Sequence, residues 1–116
     1  MTRQHIFDYC AEKYGVEPDY PFEKTPGVAV LRHQKNKKWF GIIMGVSKRK
    51  FGLECDEKTD VVNLKLAQEM IGSFNGDDGV FPAYHMNKSH WVSVILDMAE
   101  ADTVKFLLDV SFEMTK

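Results

Sequence analysis

Basic side chains that could contact a polyanion are concentrated in one stretch of this chain of 116 residues. No acidic residue occurs between Glu23 and Glu54, and that stretch holds 8 of the 15 lysines and arginines. The remainder holds 7 basic and 17 acidic residues, so it carries −10 while the whole chain carries −2. Charge segregation of this kind creates a local positive potential that the overall charge conceals.

The candidate nucleic-acid contacts are side chains in or beside predicted turns: Lys35, Lys37, Lys38, Lys48, Arg49, Lys50, Lys88 and Trp91. Exposed lysines bind phosphates with an affinity that depends on salt and tolerates any sequence. The alternative is a solvated surface whose lysines protect sheet edges from aggregation. The negative charge elsewhere in the chain opposes strong non-specific binding to DNA.

Two tryptophans give a second candidate surface. Strict alternation along the predicted strands places Trp39 and Trp91 on the outer face of a sheet, together with Ile43, Asn63, Lys65 and Ile95. An aromatic and basic sheet face can stack bases or receive a protein segment. The alternative is that the Tyr20–Phe22 loop or a second copy of the chain covers this face.

The remaining reactive side chains do not form a recognisable active site. His85 and His90 flank one turn without a third metal ligand nearby in sequence, so we expect them to stabilise the turn, with Tyr84 and the Asn87 amide. Cys10 lies on an apolar helix face, and Cys55 lies among acidic residues that disfavour a thiolate. We therefore expect no enzyme, no metal and no cofactor.

The elements that must position these residues follow from hydrophobic periodicity. Helical spacing predicts helices over 2–14, 67–74 and 103–114, capped by Thr2, Gly15 and Asp102. Alternation and turn residues predict strands over 28–33, 38–46, 61–66, 80–85 and 90–97, with a loop over 75–79 and a tight turn over 86–89. The order α-β-β-β-α-β-β-α predicts a two-layer α+β domain, in which helices cover one face of an antiparallel sheet of about five strands.

Four motifs resemble those of the MmcQ/YjbR family: Tyr20-Pro21-Phe22, Val62-Asn63-Leu64-Lys65, the run from Pro82 to Trp91, and Ser111-Phe112-Glu113. They occur in the family's order and span nearly the whole chain. The family motif residues of structural or binding interest are Tyr84, His85, Asn87, Lys88, His90 and Trp91. The resemblance implies a compact cytoplasmic domain with a "double wing" DNA-binding arrangement and no catalytic residues.

Residues 1–116 are thus expected to form one domain. Its predicted function is DNA binding through basic hairpin turns, and the alternative is a protein-binding adaptor or chaperone-like module that uses the outer sheet face. The longest apolar run, residues 40–46, is too short to span a membrane. We expect a cytoplasmic monomer or homodimer.

Overall fold

The computed structural model describes residues 1–74 and 76–116. Asn75, the first residue of the predicted 75–79 loop, lies outside them. The sheet has five antiparallel strands in the order β1-β2-β3-β5-β4. The elements are α1 (Arg3–Tyr14), β1 (Ala29–Arg32), β2 (Trp39–Ser47), β3 (Lys58–Lys65), α2 (Gln68–Ile71), β4 (Val80–Pro82), β5 (Trp91–Ile95) and α3 (Ala101–Thr115). The predicted α+β class, strand number and element order are confirmed.

The main core lies between α1, α3 and one face of the sheet. Ile6 and Cys10 of α1 and Leu107 and Leu108 of α3 are fully buried there against the sheet residues Ala29, Leu31, Val62, Leu64, Val92 and Val94. The two helices are also joined by Asp109, which accepts hydrogen bonds from the Tyr14 hydroxyl, the Tyr9 hydroxyl (2.9 Å) and Lys13 Nζ (2.7 Å). Helices therefore cover one face, and the opposite face is called the outer face below.

The observed ends of α1 agree with the sequence prediction, whereas the observed N-cap of α3 differs from it. Thr2 and His5 form a capping box, and Gly15 ends α1 with a φ of 67°. The predicted cap of α3 is wrong, because Glu100 is the N-cap and makes no side-chain hydrogen bond. Asp102 instead lies in the first turn, where its carboxylate is favourable beside the positive end of the helix dipole.

Two strand boundaries also differ from the prediction. β3 begins at Lys58, three residues early, because Lys58 pairs with Ser47 of β2 and extends the ladder. β4 ends at Pro82, so the predicted tight turn over 86–89 is wrong, and residues 83–90 form a longer loop. At the other edge of the sheet, the backbones of Asp19 and Val30 exchange hydrogen bonds of 2.9 and 2.8 Å, which extends pairing beyond β1.

A β-bulge at Phe40 overturns the predicted faces of β2. Leu31 pairs with Gly41 and Arg32 pairs with Trp39, so Phe40 is an extra residue opposite β1. The bulge shifts the alternation by one position. Phe40 and Ile43 are therefore buried in the main core, whereas Ile42, Met44 and Val46, predicted to share the core face with Phe40, lie on the outer face.

Beside the bulge, Ser111 of α3 bridges backbone groups of β2 and β3. The buried Ser111 hydroxyl donates to the Phe40 carbonyl at 2.6 Å and accepts from the Lys65 N–H at 2.9 Å. A buried backbone group without a partner is costly. Ser111 therefore attaches α3 to the sheet at the bulge.

We expect Ser111→Ala to lower the free energy of unfolding by about 1–3 kcal/mol, because it leaves a buried carbonyl and N–H without partners. Urea denaturation measures the change. Ser73→Ala, at an exposed position after α2, is the control and should shift stability by less than about 0.5 kcal/mol. Equal stability of the two variants would contradict this role for Ser111.

His33 couples stability to pH. Its side chain is buried against Phe40 and Phe112, and its Nε2 lies 2.8 Å from the Thr115 hydroxyl. Burial lowers the pKa of His33 below its ordinary value of 6.5. Below about pH 6.5 the unfolded chain then binds more protons than the folded one, so the free energy of unfolding should fall as pH is lowered from 7 to 5.

His33→Gln should remove this part of the pH dependence, because the amide can hydrogen-bond Thr115 and does not titrate. Chemical denaturation at pH 5, 6 and 7 is the measurement, and His90→Gln at an exposed position is the control. A His33→Gln curve parallel to that of the wild type would disprove the assignment.

Candidate nucleic-acid interface

Part of the outer face is covered by the chain itself. Val46, Val61 and Ile95 are buried there beneath Phe51, Leu53, Phe81 and Tyr84. Phe51 belongs to a 3-10 turn, Lys48–Phe51, that begins the return segment between β2 and β3. This small second core anchors the return segment and the 83–90 loop to the sheet, and it leaves the part of the face nearer β1 open.

The open part forms a groove of about 740 Å³, called the outer groove below. Ile42 and Met44 contribute to its apolar floor. The other lining side chains come from several segments: Arg3, Phe22, Thr25, Val28, Trp39, Lys58, Tyr84, His85 and Met86. No acidic side chain lines the groove in the described part of the chain, although the protein as a whole is acidic.

Arg3 and Trp39 are held in place at the groove by specific contacts. The Arg3 guanidinium bonds both carboxylate oxygens of Asp60 at 2.8 and 3.1 Å and donates to the Gly27 carbonyl at 2.8 Å. The hydrogen bond to the Asp60 carboxylate is the main cause that raises the pKa of Arg3. Arg3 therefore stays charged. Phe22 packs edge-on against Trp39 with ring centroids 5.9 Å apart. The Tyr20–Phe22 loop, which was a candidate to cover the outer face, therefore does not close the groove and only lines it through Phe22.

A buried polar network fixes the backbone of Tyr84, another residue that lines the groove. Asn63 of β3 donates from Nδ2 to the Tyr84 carbonyl at 3.1 Å and accepts from the Ser93 hydroxyl at 2.5 Å. That same Ser93 oxygen accepts from the Tyr84 N–H at 2.9 Å. Asn63 and Ser93 are fully buried, so the network holds the start of the 83–90 loop down on the outer face.

The rest of this loop is shaped by local bonds. His85 has a φ of 59°, an uncommon conformation for a residue other than glycine, and its ring packs on Tyr84 with centroids 3.8 Å apart. The Asn87 side chain accepts from the Ser89 N–H at 2.8 Å, and the Asn87 carbonyl accepts from the Trp91 N–H at 2.9 Å. Asn87 thus bonds the turn backbone as expected, while His90 has an exposed side chain.

A second cavity of about 380 Å³, called the Lys50–Lys88 pocket below, adjoins the outer groove. Its remaining lining residues are Phe51, Phe81, Pro82, Ala83, Tyr84 and His85. Tyr84 and His85 line both cavities, so they form a shared wall. No acidic side chain lines this pocket either within the described residues.

The predicted cations divide into three groups. Lys48 pairs with Asp97 at 3.1 Å and Glu57 at 3.5 Å, and Arg49 pairs with Asp56 at 2.5 Å. Lys50 and Lys88 meet at the Lys50–Lys88 pocket. Lys35, Lys37 and Lys38 are exposed on the β1–β2 turn. Among the side chains that the structure describes, neither of the last two groups makes an ion pair.

The β1–β2 turn lies at the same end of the sheet as the 83–90 loop. Arg32 pairs with Trp39, and Lys65 pairs with Trp91, so the beginnings of β2 and β5 share one end. Trp91 is partly buried on the outer face and lines neither cavity. Simple alternation missed Ile42 and Met44 as groove residues because no sequence signal marks the bulge.

Two other site types find no support in the described part of the chain. No group of three or more His, Cys, Asp or Glu side chains there could hold a metal ion. Burial raises the pKa of the Cys10 thiol to about 12, which keeps it protonated. None of the described helices has both the length and the apolar character needed to cross a membrane.

The family model described as YjbR matches residues 11–114. This chain belongs to the YjbR family. The uncharacterised protein YyaQ of Bacillus subtilis (strain 168) is 42% identical over 117 residues, covering 100% of this chain and 99% of that protein.

Solved structures similar to this YjbR chain agree on the fold. A Pseudomonas syringae protein with a crystal structure is 41% identical in sequence and has a TM-score of 0.95, and the match covers 100% of both chains. A Deinococcus radiodurans protein is 20% identical with a TM-score of 0.72, over 97% of this chain and 77% of that one, and it shows the fold alone. The names of these proteins state no ligand or activity.

We expect Asn63→Ala to lower the free energy of unfolding by about 1–3 kcal/mol, because the Tyr84 carbonyl and the Ser93 hydroxyl lose a buried partner. In a double-mutant cycle, Asn63→Ala and Ser93→Ala should show a coupling energy of about 0.5–3 kcal/mol. Pairing Asn63→Ala with Ser73→Ala is the control and should be additive. Additive behaviour of Asn63 and Ser93 would refute the network.

Proposed function

We propose that this YjbR protein is a non-catalytic nucleic-acid-binding module that holds a single strand of DNA on the outer face of its sheet. The observation that carries the proposal is the lining of the outer groove, where aromatic side chains occur beside the exposed Lys58 and the Asp60-paired Arg3, and where no carboxylate of a described residue lines the cavity. Proteins that bind single strands combine a positive groove with aromatic side chains on which bases stack.

Trp39 and Tyr84 supply the stacking surfaces in this proposal. Both line the outer groove, and the bulge at Phe40 adds the apolar side chains of Ile42 and Met44 to the same lining. Trp91, partly exposed at the start of β5, remains a secondary contact at the end of the sheet.

The phosphate contacts are assigned to five of the seven cations predicted from the sequence: Lys35, Lys37, Lys38, Lys50 and Lys88. These side chains make no ion pair with another described residue. Lys48 and Arg49 already neutralise carboxylates, so a phosphate would have to compete with Asp97 and Asp56 for them. A cytoplasmic location is part of the proposal, supported by the two free cysteines.

A protein-binding adaptor is the second candidate, and the apolar floor and walls of the groove favour it. Ile42, Met44, Phe22 and Met86 offer pockets for apolar side chains of an extended segment. Binding of this kind depends on buried apolar area and changes little with salt, whereas binding to phosphates weakens steeply as salt rises.

We expect Trp39→Ala to weaken binding of a fluorescent single-stranded oligonucleotide by about 1–3 kcal/mol, the contribution of one stacked base. Trp39→Phe should retain most of the affinity because it keeps a stacking ring. Fluorescence anisotropy at several salt concentrations is the measurement. Phe106→Ala, at an exposed position of α3 in the helical layer, is the control and should bind as the wild type does.

The same titration with duplex DNA separates the remaining possibilities. If the duplex binds more tightly than the single strand, two variants decide the mode of binding. Loss of duplex binding in Lys37→Glu/Lys38→Glu, with binding kept in Trp39→Ala, would favour a double-wing contact through the turns over stacking of a single strand. Failure of the wild type to bind either form at low salt would reject nucleic-acid binding and leave the adaptor as the better function.

A further inference from the structure

Lys50 differs from the two cations that precede it. Lys48 is partly buried and pairs with Asp97 and Glu57, and Arg49 is bonded to Asp56, so both charges are already paired with carboxylates of the same chain. Lys50 is exposed and has no such partner among the described residues. It instead lines a pocket with Lys88, which comes from a distant part of the sequence.

The local backbone explains why Lys50 lies at this pocket. The 3-10 turn Lys48–Phe51 is capped by Ser47, whose Oγ accepts from the Arg49 N–H at 3.3 Å, and it ends at Gly52 with a φ of 82°. Phe51 of the turn packs on Phe81 and Tyr84 with ring centroids 5.4 and 6.2 Å apart. Because Phe51 is fixed in the second core, the neighbouring Lys50 is held at the mouth of the pocket.

Lys88 is positioned by a different set of bonds. It lies next to Asn87, whose side chain and carbonyl close the turn before β5. The start of the same loop is fixed through Tyr84 by Asn63 and Ser93. Two lysines from separately anchored segments therefore line one cavity together with aromatic side chains, and no described carboxylate lines it.

We propose that the Lys50–Lys88 pocket is a phosphate subsite. Two lysines lining a cavity of about 380 Å³ suit the anionic oxygens of phosphate groups, and the Phe81 and Tyr84 rings suit an attached apolar or planar part. The inference rests on the proposed function, in which the phosphate belongs to the bound strand. Tyr84 and His85, which the pocket shares with the outer groove, let one strand occupy both cavities.

The first test uses inorganic phosphate and does not require DNA binding. We expect phosphate to shift the amide NMR signals of Lys50, Phe51, Tyr84 and Lys88, and the shifts to disappear in Lys50→Gln/Lys88→Gln. Lys105→Gln/Lys116→Gln removes two charges, one from α3 and one from the residue that follows it, and is the matched control, which should respond as the wild type does. Phosphate that moves none of these signals in the wild type would overturn the subsite.

The second test measures oligonucleotide affinity against salt. Each phosphate contact of a single strand contributes about 0.7 to the slope of log affinity against log salt, so Lys50→Gln/Lys88→Gln should reduce the slope by about 1.4. An unchanged slope together with Trp39-dependent binding would overturn the subsite and keep the proposed function. Phosphate shifts without any oligonucleotide binding would reject the proposed function and support the subsite for a small phosphorylated compound.

Discussion

The bulge at Phe40 and the Ser111 hydroxyl that closes it determine what each face of this sheet presents. One additional residue in β2 directs the Phe40 side chain into the main core and places the side chains of Ile42 and Met44 on the outer face. Beside the bulge, the Ser111 hydroxyl of α3 donates to the Phe40 carbonyl at 2.6 Å and accepts from the Lys65 N–H at 2.9 Å, so it attaches the helix to both strands. The position of α3 and the apolar floor of the outer groove thus have a common origin.

The fold was predictable because most of its signals are local. The Thr2 cap, the Gly15 stop and the alternation along β3 and β5 depend on a few neighbouring residues, and the structure contains each of them. The faces of β2 were not predictable in the same way. Alternation along Trp39–Ser47 continues without interruption in the sequence, and the bulge depends on pairing with Leu31 and on Ser111, which is distant in the chain.

The candidate site was predicted in part for the same reason. Spacing could place lysines in turns, but it could not show which of them meet carboxylates from other segments. Lys48 and Arg49 are adjacent to Lys50 in sequence, yet only the fold brings Asp97 and Asp56 to the first two and Lys88 to the third. Likewise, nothing in the sequence indicates that the Asn63 amide donates a hydrogen bond to the Tyr84 backbone carbonyl.

The two sides of the sheet end in ways that discourage addition of further strands. Backbone bonds to Asp19 occupy Val30 on the β1 side, and β4 is three residues long and finishes at Pro82, which has no N–H to donate. A strand from another molecule that added to either edge of the sheet would therefore form few backbone hydrogen bonds. Copies of this protein that associate in solution should therefore meet through helix surfaces or through the grooved face rather than by pairing of edge strands.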